Sequence, residues 1–239
     1  MKLTLQKLLP MLNAESKPAW MEKVAAFRAE EESYLDNREG LTPRRAVLTI
    51  NKHLGENTAV CTDVGQHQMW SAQNLNFRTA RRFASSGGLG TMGYGFGAAI
   101  GAAYGTGERS VLITGDGSFG MNLNELATAV RYHVPVVVVI MNNGVLGMVR
   151  QWQTLFYEKH YSNSVLERKT DFAAFAKAFG ADGEAVTTPE ELDAALGRAF
   201  AYNGPYIIDC KIDKDEFVLP MLPPGGSMDD IITKLEVEL

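Results

Sequence analysis

One unbroken apolar run near the middle of the chain, residues 136–140, constrains the fold more than any other feature. All of its residues are β-branched, four valines followed by an isoleucine. A strand with one face in water alternates apolar and polar side chains, whereas this run does not. The run is typical of a strand buried on both faces, as in parallel sheets that helices cover on both sides.

Short β-branched runs and helical patterns alternate along the chain from Leu41 onward. The predicted strands are residues 59–62, 82–85, 111–114, 134–142, 184–186 and 206–212. The predicted helices are residues 43–54, 66–75, 94–104, 121–132, 171–179 and 189–202. Strands joined by helices of this length form right-handed crossovers. We therefore predict an α/β fold, with a mostly parallel six-stranded sheet and helices on both faces.

Residues 1–40 have a different pattern. Leu5, Leu8 and Leu12 recur at helical spacing, Pro18 interrupts the pattern, and a charged helix is predicted over residues 21–34. The polar residues that follow, up to Gly40, are typical of a linker. We predict an N-terminal helical segment and linker over residues 1–40 and one α/β domain over residues 41–239.

Composition argues against several classes of partner. The net charge is −5 and no dense stripe of Lys or Arg occurs, so we expect no nucleic-acid or anionic-membrane surface. The longest apolar run is too short to cross a bilayer, and residues 1–20 lack the apolar core of a secretory signal. Cys61 and Cys210 are expected to be buried thiols in a reducing compartment. We expect a cytoplasmic protein.

Two strand ends carry the residues best suited to chemistry. The strand over 111–114 runs into Gly115-Asp116-Gly117, and the strand over 134–142 ends at Asn142-Asn143. In an open parallel sheet, ligands bind beyond the carboxyl ends of the strands. An aspartate, an asparagine oxygen, a backbone carbonyl and phosphate oxygens form the hard oxygen shell that Mg²⁺ prefers. Each motif alone is a common turn, but the helix and strand between them place both at one edge.

A dinucleotide-binding fingerprint competes with this interpretation. Gly88, Gly90 and Gly93 match its glycine pattern, follow a predicted strand and precede a predicted helix. Asp116 would then bind a ribose hydroxyl, but that acidic residue is expected about 20 positions beyond the motif. The fingerprint also gives no role to Asn142-Asn143. A metal-bridged diphosphate explains both strand ends better.

The two strand ends and their spacing form the thiamine diphosphate signature, and other stretches are more specific. From about Leu3 onward the sequence resembles the C-terminal region of the acetolactate synthase (acetohydroxyacid synthase) catalytic subunit. The matching stretches are residues 63–70, 86–95, 115–119, 142–143 and 147–153. The Gln-Trp-Gln sequence at 151–153 and the Gly-Gln-His-Gln-Met-Trp sequence at 65–70 are the most specific. Phe96-Gly97 departs from the Leu-Pro that is usual in the family.

This resemblance implies a set of site residues. The Mg²⁺ ligands would be Asp116, the side chain of Asn143 and the backbone oxygen of Val145. The cofactor contacts would be Gln66, His67, Gly90, Met92, Gly117, Ser118 and Met121. The substrate side would be lined by Met148, Val149 and Trp152. No catalytic carboxylate is identified in this chain, because the resemblance implies that the glutamate acting on the cofactor lies on another domain.

The resemblance also implies a larger assembly. Residues 1–40 would be the end of a middle domain that contributes to FAD binding, and a pyrimidine-binding domain or chain would complete the site. The complete enzyme would decarboxylate pyruvate and join the product to a second 2-keto acid, as in branched-chain amino acid biosynthesis. A homo-oligomer is expected, with a regulatory subunit as a further partner. The alternatives are another thiamine diphosphate-dependent 2-keto acid decarboxylase and a non-catalytic cofactor-binding or assembly module.

Overall fold

The computed structural model describes residues 1–13, 15–36, 40–77, 79–167 and 169–234. Contacts between Cα atoms divide the chain into two units, Met1–Glu39 and Gly40–Leu239. The first unit contains α1 (Lys2–Leu8), a 3₁₀ turn (Leu9–Met11) and α2 (Pro18–Asp36). Most of the predicted linker, residues 37–39, lies outside the described residues.

The second unit is built on a six-stranded parallel sheet, which confirms the predicted α/β class. Its order is β2-β1-β3-β4-β6-β5. The strands are β1 (Ala59–Thr62), β2 (Phe83–Ser85), β3 (Ser110–Gly115), β4 (Val136–Asn142), β5 (Asp182–Val186) and β6 (Tyr206–Lys211). The observed strands lie within two residues of the predicted bounds.

Eight helices of the second unit lie in the part of the chain that the structure describes. They are α3 (Pro43–His53), α4 (Gln66–Asn74), α5 (Tyr94–Thr106), α6 (Asp116–Asn122), α7 (Leu126–Arg131), α8 (Gly147–Phe156), α9 (Phe172–Ala178) and α10 (Pro189–Ala201). Local signals fix several starts: the Thr42 hydroxyl accepts the Arg45 N–H at the start of α3, and Thr188 forms a capping box on α10.

The prediction of a single helix over residues 121–132 was wrong. Helix α6 starts earlier, at Asp116, and a 3₁₀ turn (Leu123–Glu125) separates it from α7. Asn122 leaves the helical conformation, and its side-chain amide donates to the Gly93 carbonyl (3.2 Å). A contact with a distant loop therefore interrupts the helical pattern. Helix α8 was not predicted at all.

Side chains of β4 pack alternately on the two faces of the sheet, as a doubly buried strand requires. On one face, Val136, Val138 and Ile140 join a cluster with Phe96 and Phe119. On the other, Val137, Val139 and Met141 join a cluster with residues of α3, α4 and α10. All six of these β4 side chains are buried, so the sheet is covered on both faces.

The order of the strands creates a switch point at the centre of the sheet. From β1 the chain moves outward to β2, and then α5 carries it back to β3 on the other side of β1. The connections after β1 and β3 therefore diverge and leave a crevice beyond the carboxyl ends of these strands, where α/β proteins bind ligands. Among the described residues, no helix has the length and apolar character needed to span a membrane.

Candidate functional site

A cavity of about 100 Å³ lies in the crevice at this switch point. Four connections form its walls, following β1, β2, β3 and β4. The residues that line it are Val64, Gly65, Gln66, His67, Trp70, Met92, Gly115, Asp116, Gly117, Ser118, Met141, Asn143, Val145, Leu146, Gly147, Met148 and Val149. Most of the residues predicted to bind the cofactor and metal are therefore brought together here.

The three predicted Mg²⁺ ligands all line this cavity. Asp116 is the first residue of α6 and is buried, at 5% exposure. The Asn143 side-chain oxygen accepts the Val145 N–H (3.2 Å), which ties two of the predicted ligands into one short turn. An amide oxygen has a second lone pair, so this bond leaves it able to bind a cation. Their role as ligands stays a prediction.

Only one residue of the Asn142-Asn143 pair lines the cavity. Successive side chains of a strand alternate in direction, and Asn142 is the last residue of β4. Its amide donates to the Asp209 carboxylate (2.8 Å), which also accepts from Lys211 (2.6 Å). Asn142 therefore stabilises the pairing of β4 with β6, and Asn143 alone is available to a ligand.

Glycine at the end of β3 leaves room for side chains of the cavity wall. A β-carbon at Gly115 would lie 3.0 Å from the His67 Nδ1 atom, and one at Gly117 would lie 3.0 Å from Leu146 Cδ2. Both separations are tighter than ordinary van der Waals contact, so a side chain at either position would force its neighbours to move. Glycine on each side of Asp116 therefore lets the side chains of the cavity wall pack close to the backbone.

His67 lies in the cavity wall as a buried, neutral imidazole. Burial lowers its pKa to about 3, and a hydrogen bond to the Asp63 backbone opposes that shift. Because Nε2 has no hydrogen-bond partner among the described residues, we place this backbone bond at Nδ1–H. The buried Nε2 then carries an unshared lone pair, which is an unmet acceptor in the wall of a polar cavity.

The neutral state of His67 predicts an acid-sensitive stability. Between pH 6.5 and about 3 the unfolded chain binds a proton that the native protein does not, so stability falls as pH decreases. At pH 5 the neutral state of His67 should lower the free energy of unfolding by about 2 kcal/mol. Urea unfolding near pH 7.5 and pH 5 measures it: His67→Asn should lose this part of the pH dependence. His160→Asn, at an exposed histidine, is the control. If the unfolding free energy of His67→Asn falls between pH 7.5 and pH 5 as much as that of the unmodified chain, His67 is not the group responsible.

Gln66 is committed to protein contacts through its side chain. Its amide nitrogen donates to Gln151 Oε1 (2.9 Å) and to the Glu216 carbonyl (2.8 Å), and its oxygen accepts from Asn143 Nδ2 (3.4 Å). Both amide protons are used, so no side-chain donor remains for a phosphate. The predicted cofactor contact of Gln66 would have to come from its backbone N–H in the first turn of α4.

The loop between β2 and α5 carries two of the predicted cofactor contacts, Gly90 and Met92, and a third, Met121, lies on α6. Met92 reaches the cavity, whereas Gly90 and Met121 do not line it. Gly90 has φ +64° and donates its N–H to the Ser86 carbonyl (2.9 Å), so it forms the turn that directs Met92 inward. Met121 lies next to Gly93 and is exposed.

Asp63, which the sequence did not single out, holds this loop in place. Its buried carboxylate accepts the Gly93 N–H (2.7 Å), at the start of α5, and the Thr114 hydroxyl (3.4 Å). Burial raises the pKa of this carboxyl, and hydrogen bonds from backbone N–H groups oppose the shift. A carboxylate at the start of a helix interacts favourably with the helix dipole. The only signal in the sequence was an acidic residue directly after a predicted strand.

Helix α8 separates the cavity from a larger groove of about 700 Å³. The three residues predicted to line the substrate side all border this groove, and Met148 and Val149 border the cavity as well. Trp152 packs edge-on against Phe156, with ring centroids 5.6 Å apart. The residues of the groove that the sequence did not indicate are Gln153, Phe156, Tyr157, Glu158 and His160.

A family model for the C-terminal TPP-binding domain of thiamine pyrophosphate enzymes matches residues 63–210. The match covers more than half of the chain and includes the connections after β1, β2, β3 and β4. The chain belongs to this family. Thiamine diphosphate is another name for thiamine pyrophosphate. The prediction that the chain binds this cofactor is thus confirmed at the level of the family.

Curated relatives of this thiamine pyrophosphate-binding chain are acetolactate synthases. It is 40% identical to a probable acetolactate synthase large subunit of Methanocaldococcus jannaschii, across 95% of this chain and 40% of that protein. It is 38% identical to the isozyme 2 large subunit of Escherichia coli, across 97% of this chain and 43% of that protein. The chain thus spans about two fifths of these relatives. The resemblance drawn from the motifs is confirmed.

A solved structure shares the fold. The thiamine diphosphate-dependent 4-hydroxybenzoylformate decarboxylase of Rhodococcus jostii superposes with a TM-score of 0.69 over 74% of this chain and 34% of that protein. Sequence identity is 23%, so this similarity concerns the fold.

Proposed function

We propose that the cavity binds thiamine diphosphate through Mg²⁺, as part of an acetolactate synthase-like carboligase. The observation that carries the proposal is the convergence of Asp116, Asn143 and Val145 in one cavity at the switch point. One carboxylate, one amide oxygen and one carbonyl form a hard oxygen set suited to Mg²⁺. Gly115 and Gly117 support the same proposal, because a side chain at either position would displace His67 or Leu146 from the cavity wall.

The backbone of α6 would hold the diphosphate. The Ser118 hydroxyl already donates to the Val64 carbonyl (2.8 Å), so Gly117 and Ser118 would contact phosphate oxygens through N–H groups. Met92 lines the same cavity and would contact the middle of the cofactor. When bound, the cofactor supplies a thiazolium that stabilises negative charge on a substrate carbon, and the chain supplies orientation and a partly dry cavity.

The proposed reaction joins decarboxylated pyruvate to a second 2-keto acid. The groove beside α8 supports it, since Met148 and Val149 place this apolar surface directly next to the cavity. A pyrimidine-binding domain or chain would cover the other side, with a homo-oligomer as the assembly. FAD and a regulatory subunit are proposed only for the complete enzyme, and a cytoplasmic location stays a prediction.

Calorimetric titration of thiamine diphosphate into the full chain tests this proposal, with Mg²⁺ in one series and EDTA in the other. We expect heat of binding that requires Mg²⁺ and is lost with thiamine, which has no diphosphate. Equal binding in Mg²⁺ and in EDTA would contradict the proposed site.

Replacement of Trp152 by leucine tests the proposed substrate side. Its ring is 37% exposed in the groove and contacts Phe156, so leucine would enlarge the groove with little effect on the core. In a complete enzyme, Trp152→Leu should change the preference between pyruvate and 2-ketobutyrate by roughly 1–3 kcal/mol, because these acids differ by one methylene. Competition between the two acids measures the product ratio. Thiamine diphosphate affinity is the control and should not change; an unchanged ratio would place Trp152 outside the substrate site.

A further inference from the structure

A chain of buried amides connects the metal side of the cavity to the C-terminal strap, defined as residues 215–221. Gln151 lies on α8 and is fully buried. It forms two hydrogen bonds with Val218 of the strap: its amide nitrogen donates to the carbonyl (3.0 Å), and its oxygen accepts the N–H (2.9 Å). Backbone groups cannot exchange donor and acceptor, so this pair fixes the orientation of the Gln151 amide.

The fixed orientation is passed on to Gln66. The Gln151 oxygen and the Glu216 carbonyl both face the Gln66 amide and are acceptors, at 2.9 Å and 2.8 Å. The Gln66 nitrogen must therefore lie on this side, and its oxygen on the other. A reversed Gln66 amide would set its oxygen against two acceptor oxygens inside a buried region, which costs free energy.

Asn143 is the last member of the chain. The Gln66 oxygen accepts from Asn143 Nδ2 (3.4 Å), which leaves Asn143 Oδ1 on the far side, where the Val145 N–H also meets it (3.2 Å). Gly147 makes the approach of the two amides possible. A β-carbon there would lie 1.9 Å from Gln66 Oε1 and 2.8 Å from Asn143 Nδ2.

We propose that Gln66 and Gln151 are positioning residues, which fix the Asn143 amide so that its oxygen is presented to the cation. The inference rests on the proposed function, which makes Asn143 a ligand. Partners that orient a metal ligand typically affect metal affinity by about 10- to 100-fold. We expect an effect at the lower end of that range, because the Val145 N–H favours the same orientation. The strap thereby contributes to the metal site without touching it.

The test uses Gln151→Met in the full chain, with Gln73→Met as the matched control. Gln73 is an exposed glutamine that also donates to the strap, at the Leu219 carbonyl (3.1 Å). Manganese with thiamine diphosphate is the probe, measured by electron paramagnetic resonance. Gln151→Met should weaken Mn²⁺ binding about 10-fold, and Gln73→Met should leave it within about twofold of the unmodified chain.

A second measurement follows the Asn143 amide directly in the chain without ligand. Its side-chain ¹⁵N signal is identified by its loss in Asn143→Asp. Exchange of its two protons with water should be faster in Gln151→Met and unchanged in Gln73→Met. If Gln151→Met does not fold, Gly147→Ala replaces it, since its β-carbon would separate the Gln66 and Asn143 amides without removing the hydrogen bonds of Gln151 to Val218.

The outcomes separate the inference from the proposed function. Unchanged amide exchange and Mn²⁺ affinity in a folded Gln151→Met protein would overturn the inference, as would equal losses in Gln73→Met. If the unmodified chain does not bind Mn²⁺ with thiamine diphosphate, the proposed function fails. In that case, unchanged amide exchange in Gln151→Met would also contradict the proposed role of Gln151 in orienting the Asn143 amide. Faster exchange would support that role.

Discussion

Replacing Asp116 with alanine is expected to abolish Mg²⁺-dependent binding of thiamine diphosphate. Asp116 supplies the only negative charge among the three proposed protein ligands, since Asn143 and Val145 contribute neutral oxygens. Loss of a partner that only orients a ligand costs about 10- to 100-fold in metal affinity, so loss of the charged ligand should exceed about 100-fold. Titration calorimetry of the Asp116→Ala chain with thiamine diphosphate and Mg²⁺ measures the loss.

Asp193→Ala is the matched control for this experiment. Asp193 lies on α10, is paired with His53 at 2.9 Å and does not line the cavity. Its replacement removes one carboxylate, as Asp116→Ala does, and should leave cofactor binding unchanged. Thermal unfolding should show that both variants fold, because neither substitution creates a large apolar cavity. Affinity in Asp116→Ala equal to that of the unmodified chain would rule out Asp116 as a ligand.

The purified 239-residue chain alone should form no acetolactate from pyruvate. Its substrate side is open: Val149 and Trp152, which border the groove, are 46% and 37% exposed. Water in an open site weakens the electrostatic interactions that the chain makes with a bound substrate, and it also competes with the second 2-keto acid. The resemblance to acetolactate synthases implies that the catalytic glutamate lies on another domain. Binding of thiamine diphosphate without turnover is the expected result.

A colorimetric acetolactate assay measures this outcome. The chain alone is compared with the chain supplied with the remaining part of the Escherichia coli isozyme 2 large subunit, either fused or coexpressed. Acetolactate should appear only when that part is present, and an Asp116→Ala version of the fusion is the control for background turnover. Robust acetolactate formation by the isolated chain would show that this chain alone completes the active site.

Much of the fold was predictable because its signals are local. The non-alternating run at 136–140 indicated a doubly buried strand, and β4 is buried on both faces. The helices predicted to start at residues 43 and 189 do start there, where Thr42 and Thr188 cap the first turns. The single helix predicted over residues 121–132 was wrong, since a hydrogen bond from Asn122 to Gly93 accompanies the interruption of the helical pattern after α6. Helix α8 was missed, because Gly144 just before it and Gly147 at its first position are typical of a turn.

The sequence by itself determined that Asp116 and Asn143 meet at one edge of a sheet. Both end buried parallel strands, and the register of such strands follows from their apolar pattern. Only the tertiary structure decided what orients these residues. Asn143, Gln66 and Gln151 are joined across 77 and 85 positions in the chain, and Asp63 reaches Gly93 across 30. A hydrogen bond between distant polar side chains has no periodicity in the sequence, because the packing of whole elements alone brings its partners together.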